Sequence, residues 1–237
     1  SGKVRLARCI GTVFAVLFLA TTGAVSADDG PSADGRFSSV IEAHEVLPQG
    51  VVNASPTLKT TTAATLLADG FEGAFPGWVW LLYHAPNAPD VAGGTSPDRT
   101  SEGYNSIYCA GSGSDSNPAS GATVPVNTYS WAIAGPFDLS DATSGELEFD
   151  YWLATEATYD NFKWLASTNG TNFGGLQTSA DTSGFETRVQ DLSDWGSAGN
   201  LLGQPQVWIA FVYQSDNSNR YEGAYVDQVS LTTDGGG

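Results

Sequence analysis

Residues 146–153 read ELEFDYWL. Leu147, Phe149, Tyr151 and Leu153 take every second place, and Glu146, Glu148, Asp150 and Trp152 take the places between. Successive side chains of a strand point to opposite faces, so this stretch reads as a strand with one apolar side and one acidic side that also carries a tryptophan. A second stretch, QVWIAFVYQ at 206–214, is apolar on both sides. Val207, Ile209, Phe211 and Tyr213 share one face, and Trp208, Ala210 and Val212 share the other, which suits the middle of a sheet. Two antiparallel sheets stacked on such faces make a β-sandwich.

The same texture runs from about Thr65 to Thr233. Short alternating or apolar runs occur at 65–71, 78–82, 106–110, 130–134, 146–154, 162–167, 185–192, 207–213 and 224–231, separated by Gly, Asn, Asp, Ser and Pro. No segment keeps a helical period for three turns, so these are strands and turns. Asn169-Gly170 falls between two runs and predicts a hairpin. All seven tryptophans and all nine tyrosines lie beyond residue 65, which places the core in one domain, 65–233. The expected fold class is all-β, a two-sheet antiparallel β-sandwich of the jelly-roll kind. From Pro86 to Asn127 the chain is mostly Gly, Ser, Asp, Asn and Pro apart from the run around Tyr108. It reads as a long loop, the place for a binding surface or an ion.

Upstream of the domain, Lys3, Arg5 and Arg8 precede an apolar run, Ile10–Ala20, and a small-residue stretch ending Val25-Ser26-Ala27. That is the layout of a secretory signal peptide over 1–27, cut after Ala27. A retained N-terminal anchor is the alternative reading, although a membrane-spanning helix needs roughly 20 apolar residues. Residues 28–64 lack Trp and Tyr and suit a linker or propeptide remnant, with a short helix predicted where Phe37, Val40, Ile41 and His44 recur at helical spacing. Residues 234–237 form a Gly-rich tail. The absence of a starting methionine suits a piece of a longer chain.

The formal charge is −17. Cutting after Ala27 removes three of the nine basic residues and none of the 26 acidic ones, leaving −20. Such a charge opposes nucleic acid and anionic membrane as partners, because affinity for phosphates rests on cations. It suits solubility outside the cell, and it leaves carboxylates available to calcium, which prefers oxygen ligands. Cys109 would be the one cysteine left and cannot make an internal disulfide. It reads as a small buried hydrophobe.

The acidic row invites a catalytic reading, since sandwich glycosidases use acids at alternating strand positions. Alternate residues stand ~6.6 Å apart and positions i and i+4 ~13 Å apart, whereas retaining enzymes hold their carboxyls at about 5–5.5 Å. Glu146 and Glu148 can just approach; Glu146 and Asp150 cannot. His-Glu-x-x-His, Gly-x-Ser-x-Gly, a phosphate loop and Cys-x-x-Cys are all missing, and His84 is the one histidine in the expected domain. The chain therefore reads as a non-enzyme, with a glycan-active sandwich hydrolase using Glu146, Glu148 and Asp150 as one alternative and a cell-surface adhesion or assembly protein as another.

Several short motifs, in order, carry a resemblance: Asp69–Gly73 (DGFEG) before Trp78, Ser130-Trp131, Gly135–Leu139 (GPFDL), Leu147–Tyr151, Ser167–Phe173, Asp191–Ser193, Val207–Phe211 and Gly223–Val229. From about 65 to 233 the chain resembles the MAM-like jelly-roll modules of bacterial secreted proteins, including accessory domains of immune inhibitor A-type and subtilisin-type peptidases. The resemblance implies a secreted, non-catalytic binding or adhesion module, carried beside a peptidase or other surface module and contacting an extracellular protein or glycan. It also implies a structural calcium, with Glu72 and Asp227 as carboxylate ligands; Gln228 stands where the family commonly has a second Asp or Asn. Trp152 and Trp208, on the outer sides of their strands, are candidate stacking platforms for sugar if open to water, and core if covered.

Overall fold

Leu147, Phe149 and Leu153 are fully buried on the strand Gly145–Ala154, whose alternate residues Glu146 and Glu148 stand in water. The alternation in ELEFDYWL is thus that of a strand lying on a core. The structure is a computed structural model and describes residues 40–47, 64–73, 78–82, 89–116, 119 and 121–235, with the backbone alone at 79–82. The expected signal peptide, most of the linker, His84 and the last two glycines lie outside the described residues.

Twelve strands lie in the described residues: β1 (Ile41–Val46), β2 (Ala64–Asp69), β3 (Trp78–Leu82), β4 (Ala92–Ser96), β5 (Ser106–Ser112), β6 (Tyr129–Phe137), β7 (Gly145–Ala154), β8 (Asn161–Ser167), β9 (Asn172–Thr178), β10 (Glu186–Asp191), β11 (Val207–Gln214) and β12 (Gly223–Thr233). Sheet 1 runs β1-β9-β8-β11-β6-β3 and sheet 2 runs β10-β7-β12-β5-β4, with β2 also paired to β12; all pairings are antiparallel. From β6 to β12 the chain changes sheet at every connection but the β8–β9 hairpin, as a jelly-roll sandwich does. The described residues all belong to one unit, Ser38–Gly237. No helix among them is long and apolar enough to cross a membrane.

The strand apolar on both sides is β11, between β8 and β6. Its Ile209, Phe211 and Tyr213 face sheet 2, and Phe211 meets Phe149 of β7 with ring centroids 4.8 Å apart. Its Trp208, Ala210 and Val212 join Trp131, Ile133, Leu165 and Phe173 in a second apolar cluster on the far side of sheet 1. The expected hairpin joins β8 to β9: Gly170 has φ +67, and the Asn169 side-chain oxygen accepts the N–H groups of Thr171 and Asn172 at 2.9 and 2.8 Å. That left-handed backbone is what the Asn-Gly pair supplies.

Two expectations are corrected. Residues 41–46 form a strand in sheet 1, not the end of a helix: Ala43 and Leu47 are buried among the sheet's aromatic residues while Glu42, His44 and Val46 face water, a period of two. The stretch 86–127 is not one long loop, because it contains β4 and all of β5. Three of its six glycines, Gly93, Gly94 and Gly111, are strand glycines: a Cβ on Gly94 would lie 2.9 Å from the Gly111 carbonyl carbon, so the two backbones pack closer than any side chain allows.

Candidate functional site

The acidic row lies on the outer face of sheet 2. Its register partners are Asp191, Val189 and Thr187 on β10, and Thr232, Ser230 and Asp227 on β12. Thr187 donates to Asp150 Oδ1 at 2.6 Å; Glu146 and Glu148 project into solvent. An open groove of about 510 Å³ begins at Glu146 and Asp191 and ends at Thr232, Thr233 and Asp234, with Glu148 and Asp150 outside its lining. Asp234 is engaged, accepting the N–H groups of Thr143 and Ser144 and the Thr143 hydroxyl. Burial pushes the Cys109 thiol up to about 12, so it stays protonated and unreactive. His44 is exposed on the edge strand β1.

Glu72 and Asp227 both grip the segment 101–105. Asp227, fully buried, accepts the Ser101 N–H (2.8 Å), the Ser101 hydroxyl (3.2 Å) and the Glu102 N–H (3.3 Å) on Oδ2, and the Gln228 N–H (2.8 Å) on Oδ1. Glu72 Oε1 accepts the N–H groups of Tyr104 and Asn105 at 2.7 and 2.8 Å. The two residues read from the sequence as a ligand pair thus meet on one loop, as acceptors for its backbone. Arg99, at the start of that loop, forks onto Glu222 at 2.6 and 2.7 Å and lies over the Trp152 ring, 3.7 Å from its centroid. One face of Trp152 is therefore taken by a guanidinium, and its edge by Tyr225.

At one end of the sandwich, Glu156, Asp160 and Asp216 bring carboxylate oxygens within 4.8 Å of one another, close enough to hold a metal ion. Ser218 and Asn219 donate to Glu156, and Ser218 donates to Asp216. Asp160 has no exposed surface; it accepts the N–H groups of Asp216 (3.0 Å) and Glu156 (3.2 Å) and the Tyr213 hydroxyl (3.2 Å). Desolvation lifts its pKa above the ordinary 3.8, the Asp216 charge adds to the rise, and the three hydrogen bonds oppose it. A folded-state pKa above the unfolded one means that the folded protein holds the proton more tightly. The contribution of Asp160 to stability is then fully present below 3.8 and lost as the pH rises through the folded value. The difference in unfolding free energy between wild type and Asp160→Asn, from urea titrations across the acid range, is expected to fall with rising pH; a flat difference refutes the shift.

The outer face of sheet 1 holds the residues that sequence reasoning missed. Trp208 is 3% exposed and Trp131 1%, both in the second apolar cluster, and neither indole N–H has a hydrogen-bond partner among the described residues. On the same face, Lys163, 5% exposed, donates to Glu45 and to Gln214 Oε1 (2.8 Å), and the Tyr129 hydroxyl donates to Glu45 Oε2 (2.5 Å). Trp208 is covered, so in this conformation it is core and not an open platform. Strand parity places Trp208 on this face, but no spacing in the sequence signals that Glu45, Tyr129, Lys163 and Gln214, from four strands, converge.

No protein-family model and no curated protein matches the chain. Among solved structures, the K1 cleaved adhesin domain of Lys-gingipain from Porphyromonas gingivalis is similar at 16% identity and a TM-score of 0.48, over 72% of this chain and 97% of that one. A family 11 carbohydrate-binding module from Clostridium thermocellum, solved with a β-1,3-1,4-mixed-linked tetrasaccharide, is similar at 16% identity and a TM-score of 0.42, over 73% and 96%. A C-terminal family 22 carbohydrate-binding module from the same organism gives 11% identity and a TM-score of 0.42, again over 73% and 96%.

Chemically, the two outer faces differ. That of sheet 2 offers exposed carboxylates and a tryptophan already stacked by arginine. That of sheet 1 offers aromatic rings, two unpaired N–H donors and an ammonium. An unpaired buried donor costs about 1–3 kcal/mol, so sheet 1 carries an expense that its own packing does not explain.

Proposed function

We propose that the chain is a secreted, non-catalytic β-sandwich module of the MAM-like type, carried beside a peptidase or other surface module, that binds glycan through the outer face of sheet 1. The observation that carries this reading is the pairing of Trp131 and Trp208, with their unpaired indole N–H groups, with the polar set Lys163, Tyr129 and Gln214 on one face. Rings supply flat apolar surface for a sugar, and unpaired donors supply hydrogen bonds to its oxygens. A structural calcium is assigned to Glu72 and Asp227: both carboxylates grip one loop, residues 101–105, and oxygen ligands suit that ion. The fit is partial, because Asp227 Oδ2 and Glu72 Oε1 each already accept two N–H groups of residues 101–105.

Affinity electrophoresis of the full chain through gels containing neutral or acidic polysaccharides, with reducing ends assayed in parallel, tests binding against catalysis. Retardation in at least one glycan with no release of reducing ends is the expected result. Reducing ends that appear with wild type and vanish with Glu148→Gln would install the hydrolase instead.

A further inference from the structure

The outer face of sheet 1 curves inward. Trp131 on β6 and Phe173 on β9 stand three strands apart, ~14 Å at ~4.8 Å per strand, yet their rings meet edge to face with centroids 5.3 Å apart. Glu45 shows the same closure more strongly. It sits on β1, the outermost strand, and its carboxylate reaches Lys163 two strands away and Tyr129 four strands away. An edge residue touching a hydroxyl on the fifth strand of the sheet means that β1 lies over the mouth of a concavity. Ala43 and Leu47, on the same side of the segment, are buried in the aromatic cluster.

The polar contents of this concavity match one chemistry. Among the described residues the cations are Arg99, Lys163, Arg188 and Arg220, and of these Lys163 alone lies on this face. Its ammonium and the Tyr129 phenol converge on the two oxygens of a single carboxylate, Glu45, and Gln214 fixes the ammonium from the other side. Beside them, the buried indole N–H groups of Trp131 and Trp208 lack acceptors among the described residues. A segment evolved only to complete the fold has no reason to leave those donors empty while burying an ion pair, since apolar residues of similar volume stabilise at least as well.

We propose that this concavity is a cleft for a carboxylate-bearing glycan, a uronic-acid oligosaccharide, and that β1 is its built-in plug, with Glu45 standing where the sugar's carboxylate binds. The proposal rests on the glycan-binding reading above and names its ligand class and its regulation. Sugar rings take the place of Ala43 and Leu47 against Trp131 and Trp208, sugar oxygens accept from the two indoles, and the uronate replaces Glu45 at Lys163 and Tyr129. β1 suits release because among the described residues it is laddered on one side, to β9, with the Leu47 N–H bond to the Thr171 carbonyl and the Ser197 hydroxyl bond to the Ala43 carbonyl as extra ties. Edge elements held by few contacts open before the core does.

Isothermal titration of the full chain with trigalacturonate and with neutral cellotriose tests this, in moderate salt to screen the formal charge of −17. Glu45→Ala is expected to bind trigalacturonate at least tenfold more tightly than wild type and at least tenfold more tightly than it binds cellotriose, and Glu45→Ala combined with Lys163→Gln to lose that preference. Glu45→Gln keeps the side-chain volume and removes the charge; it serves where the alanine variant does not fold, with the same ranking expected. No gain in a folded variant overturns the plug. Equal affinity of Glu45→Ala for the two sugars overturns the acidic ligand and leaves glycan binding standing. A preference for trigalacturonate that survives loss of Lys163 overturns the cation's role. If no variant binds either sugar and wild type binds nothing in the polysaccharide gels, the glycan-binding reading falls as well.

Discussion

Phe149→Ala is expected to lower the stability of the sandwich by about 3–5 kcal/mol, while Glu148→Ala, one residue away, changes it by less than about 0.5 kcal/mol. Phe149 is fully buried where the sheets meet, with its ring centroid 4.8 Å from Phe211, 5.9 Å from Tyr151 and 6.0 Å from Trp164. Removing the ring forfeits its transfer energy and leaves a cavity that packed strands on both sides cannot close. Glu148 projects into solvent, opposite Val189 and Ser230. Urea unfolding midpoints at unchanged slope decide the matter. Comparable losses at the two positions would mean that the acidic row is structural, or that the strand is turned over.

The second large effect belongs to Asp227. Asp227→Ala removes the acceptor of the Ser101 and Glu102 N–H groups and is expected to cost about 3 kcal/mol, at the upper end for hydrogen bonds to a buried charge. The accompanying signature is local: hydrogen exchange at Ser101 and Glu102 should quicken far more than in β7 or β11. Calcium supplies a second arm. An ion held by Glu72 and Asp227 raises the thermal midpoint over that in EDTA, by the equivalent of about 2.7 kcal/mol at 100-fold excess over Kd, and the rise disappears in Glu72→Gln and Asp227→Asn. A midpoint indifferent to calcium removes the ion and leaves Asp227 as the anchor of the loop.

How much of this was legible in the sequence depended on whether the signal was local. The period of two at 147–153 and 207–213 placed β7 and β11 and gave each residue its face, and Asn169-Gly170 placed a hairpin. β4 escaped because AGGTS is turn-like in composition, Gly94 being dictated by the approach of Gly111 across the pair. β1 escaped because Phe37, Val40, Ile41 and His44 mimic a helical stripe, and what settles the matter is pairing with β9, over 100 residues on. At the candidate sites, Glu72 and Asp227 can be named from the sequence because each sits in a motif of the resemblance, and the structure shows both as acceptors for one loop. Glu45, Tyr129, Lys163 and Gln214 have no shared motif. Parity assigns a residue to a face but says nothing of how far that face bends, and it is the bend that brings these four together.

The two sheets differ in how freely their letters can change over evolutionary time. β11 is dry on both sides, so most substitutions in Val207–Tyr213 meet a neighbour whichever way they point. In β7 and β10, every second position on the wet face can be rewritten at little cost to folding. Descendants of this chain should therefore keep a nearly unbroken apolar β11 while the ELEFDYWL pattern survives in them only as its alternate residues.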